Sequence, residues 1–576
     1  MRLVSGLFCL LLLSFHLNAQ TTYYVDGVSG LDTHTGLSLV QAWKTVQKAC
    51  ASATPNSQVL IKGGTYHENL VMQVSGTAGN PILFRNYQQD SVYIDGTGLG
   101  GTTLMQITDK NYITLESLVF QNLTGNNAQG VLVESSVSGT STGIELRKLI
   151  VRHINWTASP TTIPNQNDNS QALIVYGRDK GLTNLLIDSC QVYANILGFS
   201  EAVSIDGNIM GFTVSNCLVH DNTNIGILAA GNYGTSTNAA TDHARNGLIT
   251  KNTCYRDVSL YATSAGIYVD GGRSVVIDQN TSWGNGSGIE LGCEQNGTTD
   301  SITVKNNLLY NNQYTGLAIG GYTTATTGQV LHCEVRNNTF FSNNDASNTS
   351  GEIDMTKASY CRIENNVFYT CNNNTLLSVE PISPQLSNVI DYNVWFTPAN
   401  DSTNLTVNWG NNGYSTFGTY QSATGMDAHS FYQNPLLSNA VLPAPNLHLT
   451  ATSPCINKGN PATVLVGGET DFDGDARSIG GRVDMGAYEY NPVTGIWDLP
   501  VCSMLKLFPN PASEVLFYKT SFPGNRVELW TGAGQLLAEF SPSDNQISLS
   551  GFSAGIYVLR FIKEDGESFI EHFIKK

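Results

Sequence analysis

Three short phrases in the middle of the chain, "AVSIDG" at 202–207, "GIYVDG" at 266–271 and "GIELGC" at 288–293, each carry one carboxylate among alternating branched residues. Val203, Ile205, Ile267, Val269, Ile289 and Leu291 take the inward positions of β-strands, which leaves Asp206, Asp270 and Glu290 pointing outward. Two carboxyls held roughly 6.5–9.5 Å apart, one protonated and one charged, are the equipment of an inverting glycosidase. The same oxygens could instead surround one calcium ion and serve a metal-assisted elimination on a uronate. The residue types leave both chemistries open, and an isolated outward carboxylate is otherwise solvated surface.

Other candidates surround these three. "ALIVYG" at 172–177 and "GILAAG" at 226–231 fit the same strand frame, with Tyr176 and Tyr268 outward and Glu201 just before its strand. Two long stretches, "NWTASPTTIPNQNDNSQ" and "NYGTSTNAATDHARN", interrupt the regular spacing there, and long insertions beside one patch commonly wall a functional site. His243 and Arg245 lie in the second stretch, while Arg273 and Glu294 follow their strands directly. We therefore take Asp206, Asp270 and Glu290 as catalytic candidates, and Tyr176, Glu201, His243, Arg245, Tyr268, Arg273 and Glu294 as substrate-binding candidates. His220 and Asp221 read as structural turn residues.

What must position these residues is a repeat. Aligning Ser189, Asn216, Asn252, Asn280, Asn307, Asn338 and Asn366 gives steps of 27, 36, 28, 27, 31 and 28 residues, a solenoid period. Three residues after the Asn positions come Val219, Tyr255, Trp283, Tyr310, Phe341 and Tyr369, placed to stack from coil to coil. The L-x-x-L-x-L pattern of leucine-rich repeats is missing, and short alternating stretches such as "ITVKNN" and "CRIENN" read as strands. The expected fold is all-β: a right-handed parallel β-helix with a short capping helix at "QAWKTVQKACASA" and a small C-terminal β-sandwich. With coils ~4.8 Å apart, Asp206 and Asp270 stand roughly 10 Å apart at the backbone and Glu290 about 8 Å from Asp270. Cys190 with Cys217, and Cys333 with Cys361, fall in shared columns, as disulfides or as buried thiols.

Composition narrows the function classes. With 56 Gly, 18 Pro and only 13% charged residues, the 576-residue chain suits a turn-rich β protein. A net charge of −17 without any basic run excludes nucleic acid as a partner. Residues 1–19 read as a signal peptide, and no later run reaches the ~18 apolar residues of a membrane helix. Zinc and redox cysteine motifs are missing.

Two segments carry family resemblances. "YYVDGVSGLDTHTG" and "VLIKGGTYHENLVM", within residues 20–100, resemble the opening of secreted β-helix polysaccharide lyases such as family-nine pectate lyases and chondroitinase B, and the coil array resembles the pectin-lyase-like superfamily. "LFPNPASEVLFYKT", "VELWTGAGQLLAEF" and "ISLSGFSAGIYVLRFI" resemble the type A C-terminal sorting domain of the type IX secretion system, matching at Pro509, Asn510, Pro511, Gly534, Gly555, Tyr557 and the terminal lysines. That resemblance implies the type IX machinery as a partner and a secreted or cell-surface location reached through the periplasm. The expected organisation is a β-helix domain at 20–492 (first coils 20–110, regular coils 111–400, C-terminal cap 401–492), a linker at 493–502 and the sorting domain at 503–576. "DFDGDARSIGGRVDMGAYEY" at 471–490 is expected to close the last coil, with a calcium loop as the alternative.

The expected function is cleavage of a polysaccharide along the β-helix face, by hydrolysis or by calcium-assisted elimination, in a monomer with no certain cofactor. The competing expectation is a surface glycan-binding or adhesive β-helix without turnover, using tyrosine and amide contacts.

Overall fold

A computed structural model describes residues 20–492 and 505–575, apart from 321–327, 345–349, 372–373, 383–384, 509–511, 521–525, 532–534, 542–545 and 564–567. The expected signal peptide, the linker, Pro509, Asn510, Pro511, Gly534 and Lys576 lie outside the described residues. The chain divides into two units, Met1–Asn491 and Pro492–Lys576.

The first unit is a parallel β-helix. Each regular coil lays strands on three faces, and these pair in parallel with their counterparts one coil on; the pairings of Thr406–Trp409 with Asn412–Tyr414 and of Leu437–Asn439 with Asn446–Leu449 are antiparallel. On the face that carries the catalytic candidates the parallel strands are β1 (Ser170–Asp188) and β2 (Glu201–Ser215), whose C-terminal parts continue onto the next face, then β3 (Ile225–Ala230), β4 (Ala265–Asp270), β5 (Ser287–Gly292), β6 (Thr315–Ile319), β7 (Ile353–Met355) and β8 (Thr375–Val379). Leu173, Val203, Ile227, Ile267, Ile289, Leu317, Ile353 and Leu377 stack rung on rung and are fully buried. Each removes ~1.5–3 kcal/mol of apolar side chain from water, which is what makes the alternation in the sequence decisive.

Corners between faces need backbone that side chains resist. Gly271 turns the corner after β4 at φ 78°, and a Cβ there would sit 2.4 Å from the Gly231 carbonyl oxygen. A second corner carries the asparagine ladder. Asn252, Asn280, Asn307, Asn338, Asn366 and Asn393 are buried, and each of the first five donates its backbone N–H to the side-chain oxygen of the Asn one coil on, at 2.9–3.0 Å. Their amide nitrogens donate to carbonyls of the preceding coil, such as Asn280 Nδ2 to Ile249 O at 2.9 Å.

Here the structure corrects the alignment by one residue in two coils. The ladder positions there are Cys190 and Cys217, whose backbone N–H donates to Asn252 Oδ1 at 2.9 Å, whereas Ser189 and Asn216 occupy the preceding left-handed position at φ 57° and 54°. Asn suits both sites, the left-handed one for its short polar side chain and the ladder for its amide, so "NN" pairs blur the frame. The shift also replaces Val219 by His220 in the aromatic stack: Tyr193, His220, Tyr255, Trp283 and Tyr310 follow at 5.0, 4.6, 4.7 and 6.0 Å with planes within 7° of parallel. Cys190, Cys217, Cys333 and Cys361 are free buried thiols.

The helix α1 (Val46–Ser52) is capped by Thr45, whose hydroxyl accepts from Lys48 N, and by the Glu68 carboxylate, which accepts from Val46 N and Gln47 N. Its buried face, Val46, Ala49 and Cys50, joins Trp43 on the first coil. At the far end α2 (Phe417–Thr424) places Phe417 and Tyr420 over the last coil.

The segment at 471–490 does not close that coil. It folds back along the flank: Gln279 Nε2 donates to Asp471 O, Asn306 Nδ2 to Thr470 O at 3.1 Å, and Arg336 grips Glu469 at 2.5 and 3.0 Å. Leu447, Ala487 and Tyr488 cover Leu308 and Phe341, apolar side chains on the outside of the coils that would otherwise meet water. Asp471 accepts from the backbone of Asp473, Asp475 and Glu489, so its oxygens tie the loop to itself.

In the second unit, antiparallel strands form a three-stranded and a four-stranded sheet around a separate core that includes Leu516, Tyr518, Val527, Leu559, Phe561 and Phe573.

Candidate functional site

Register brings the predicted carboxylates to one place. Asp206 on β2 pairs with Ala230 on β3, and Ala229 pairs with Val269, which sets Asp270 two rungs from Asp206 in the same outward column. Glu290 on β5 pairs with Tyr268, one rung from Asp270 and two residues back. Asp206, Asp270, Tyr176, Glu201, Tyr268 and Glu294 all line one cavity of about 530 Å³ on this face. Glu290 and Tyr268 line a neighbouring cavity of about 240 Å³.

The two long stretches build the walls. Gln166 from the first faces the cavity; from the second come Tyr233, which lines it, and Thr235. Asp242 holds the second loop in shape by accepting from Gly234 N and Ser236 N at 2.7 and 2.8 Å, and Asp179 anchors its tip through Thr237. The Tyr233 hydroxyl donates to Asp270 Oδ2, the Glu294 backbone N–H donates to Asp270 Oδ1 at 2.8 Å, and the Thr235 hydroxyl donates to Asp206 Oδ2 at 2.5 Å. Asp206 Oδ1 is buried with no hydrogen-bond partner.

Burial pushes these acids toward their protonated forms. Asp206 rises to about 6 through burial, against the Thr235 hydrogen bond. Asp270 rises to about 7 through burial and the nearby Glu294. Glu201, pushed up by burial and by Asp206, reaches about 8, and Glu290, pushed up by burial, Glu294 and Asp270, also reaches about 8. Carboxyls whose charge states differ across neutral pH can donate and accept protons there.

His243, Arg245 and Arg273 are not brought to this cavity. Gly231 bridges to His243 and closes the loop, and Gly271 and Gly272 turn the chain away from the face, so Arg245 and Arg273 begin paired strands on the next face instead. Arg245 donates to Thr241 O, His243 O and Asn208 Oδ1, and His243 is buried with both ring nitrogens unpartnered. Sequence reasoning missed Tyr233, Thr235 and Asp354, the last of which lines the second cavity. Alternation in "GEIDM" points Asp354 outward; nothing local marks the two wall residues.

Among the described residues no group of three or more His, Cys, Asp or Glu is placed to hold a metal ion.

A coil array of this kind with a groove on one face defines a right-handed parallel β-helix protein, and the family described as "Right handed beta helix region" matches residues 165–340 and 265–397. The chain is 31% identical over 426 residues to the uncharacterized protein YwoF of Bacillus subtilis, covering 72% of this chain and 88% of that one, and it belongs to the same family as that protein. A 61-residue segment is 41% identical to pectate lyase PEL9 of Emericella nidulans, covering 10% of this chain and 15% of the other. Among solved structures, pectate lyase Pel9A aligns at TM-score 0.43 and 14% identity over 83% of this chain and 98% of that one; a GH136 lacto-N-biosidase from Eubacterium ramulus aligns at 0.42 and 16% over 65% and 67%. Residues 506–576 match the secretion system C-terminal sorting domain, which directs the chain through type IX secretion to the cell surface or beyond. No described helix is long and apolar enough to cross a membrane.

Proposed function

We propose that this secreted protein is a polysaccharide hydrolase whose general acid and base are Asp206 and Asp270. The observation that carries this reading is the pairing of these two carboxyls two rungs apart, ~9.6 Å at the backbone, in a cavity whose described lining contains no Lys, Arg or His. Elimination from a uronate requires a cation to neutralise the substrate carboxylate and a base to take its proton, and the lining supplies carboxyls and tyrosines instead. Burial raises Asp270 to about 7 and Asp206 only to about 6, but the hydrogen bonds decide the assignment: Asp206, whose Oδ1 has no donor to hold a negative charge, carries the proton and delivers it to the leaving glycosidic oxygen. Asp270, with both oxygens accepting hydrogen bonds, holds negative charge and draws a proton from the attacking water. From that backbone spacing the side chains can bring the two carboxyls to the ~6.5–9.5 Å that admits a water and gives inversion at the anomeric carbon. Glu201 and Glu290 stay protonated at neutral pH and donate to sugar hydroxyls, while Tyr176 and Tyr268 offer ring surface to the sugar.

The test is turnover of Asp206→Asn and Asp270→Asn on a panel of polysaccharides. Each variant is expected to lose about 10²–10⁴-fold in kcat while its Tm stays within a few degrees. Full activity in both variants removes the chemistry from this pair, and glycan binding without turnover in the unmodified protein supports the adhesive alternative.

A further inference from the structure

The groove has a second well that repeats the construction of the first. Glu290 pairs with Ala318 on β6, and Ala318 pairs with Asp354 on β7, so these two acids also stand two rungs apart across an alanine floor, as Asp206 and Asp270 do across Ala230. Tyr268 lines both wells, and Tyr314 and Thr315 line the second. Asp354 Oδ1 is buried and unpartnered, like Asp206 Oδ1. Among the described residues lining either well there is no Lys, Arg or His. Arg178, which attracts Asp206 from the rim, is engaged with Glu134 at 3.4 Å and lies over the Tyr176 ring.

We infer that the substrate is an uncharged glycan chain that crosses Tyr268 and occupies both wells, and that uronic or sulfated chains are turned away. This rests on the hydrolytic reading of the first well. A sugar carboxylate or sulfate placed here meets the Asp270 carboxylate and finds no Lys, Arg or His in the described lining to neutralise it, while Arg178 is already held by Glu134. A neutral sugar presents its glycosidic oxygen to the protonated Asp206, hydroxyl groups to Glu290 and Asp354, and C–H faces to Tyr268 and Tyr314.

The experiment uses the full secreted chain with neutral glucans, mannans and xylans, with polygalacturonate and alginate, and with carboxyl-reduced forms of those two polymers, which differ from their parents in charge. Binding to the reduced polymers is expected to be about tenfold or more tighter than to the parents, with the gap narrowing at high salt. Equal or tighter binding to the parents overturns the inference. The outcomes separate it from the hydrolytic reading: reducing ends without unsaturated product from a uronan overturn the charge inference alone, an uncharged glycan bound but never cleaved overturns hydrolysis alone, and unsaturated uronide overturns both. For the second well, Asp354→Asn is expected to raise KM several-fold on polymers with kcat nearly unchanged; an unchanged KM overturns occupancy of both wells.

Discussion

Tyr233 reaches across the groove from its wall and donates its hydroxyl hydrogen to Asp270 Oδ2, so the loop at 232–242 sets the charge state of a residue that its own strand positions. The hydrogen bond favours the carboxylate and opposes the burial that pushes Asp270 up to about 7. In Tyr233→Phe the ring packing stays and the hydrogen bond goes, so the Asp270 pKa rises further. The acid limb of kcat/KM is expected to move up by about one pH unit. A pH–rate profile checks this, because a purely structural defect would lower the rate equally at every pH.

Glu201 makes the opposite case. Burial and the neighbouring Asp206 raise it to about 8, so at pH 7 it carries a proton that Gln mimics. Glu201→Gln is expected to keep near-normal activity at pH 7 and to resist the loss that the unmodified protein suffers as pH rises through 8. Loss of activity at pH 7 would show that the ionised form is required.

Asp257 occupies a second buried ladder, between Asn222 and Asn285, and is the odd member of it. Its Oδ1 accepts from Asn222 N and Nδ2 at 3.1 and 2.8 Å, while Oδ2 is buried without a partner. Burial raises it to about 8. An acid whose folded pKa lies above its unfolded value destabilises the fold progressively as pH rises from about 4 to about 8, because the unfolded chain releases the proton first. Asp257→Asn is expected to add about 1–3 kcal/mol at pH 8, with the gain shrinking toward pH 4. Denaturant melts at the two pH values measure it.

Asn280 satisfies polar groups in three coils at once: it accepts from Asn252 and donates to Ile249 O, to Asp278 O of its own coil and to Asn307 Oδ1. Asn280→Ala leaves several of them buried and unpaired, and a loss of about 3 kcal/mol or more is expected. Asn216→Ala, one residue before a ladder site and at left-handed φ, is expected to cost only about 1–2 kcal/mol, chiefly through the backbone. Equal losses would contradict the corrected register.

Residues 20–492 carry their own core, and the sorting domain has another. Deletion of 503–576 is expected to leave the protein folded in the periplasm and missing from the surface and medium. Fractionation with a melt of the retained protein checks both halves of this statement.

Period and alternation were legible in the sequence because each is a local property. A coil of about 28 residues must bury one side of every strand, so Val203, Ile205, Ile267 and Val269 announce their faces, and with them the outward column of Asp206 and Asp270. The sorting domain was equally legible, as ordered short motifs. The exchange of Asn between the ladder and the left-handed position was not, since one residue type serves both, and Cys217 stands where an amide was expected. Arg245, Arg273 and His243 could not be placed from spacing alone: two glycines decide whether the chain continues along the groove or turns its corner, and the corner is set by close packing against Gly231 on the coil before. Tyr233 and the charge states of the acids belong wholly to the tertiary structure, because a loop's direction and a carboxyl's loss of water depend on neighbours dozens of residues away in the chain.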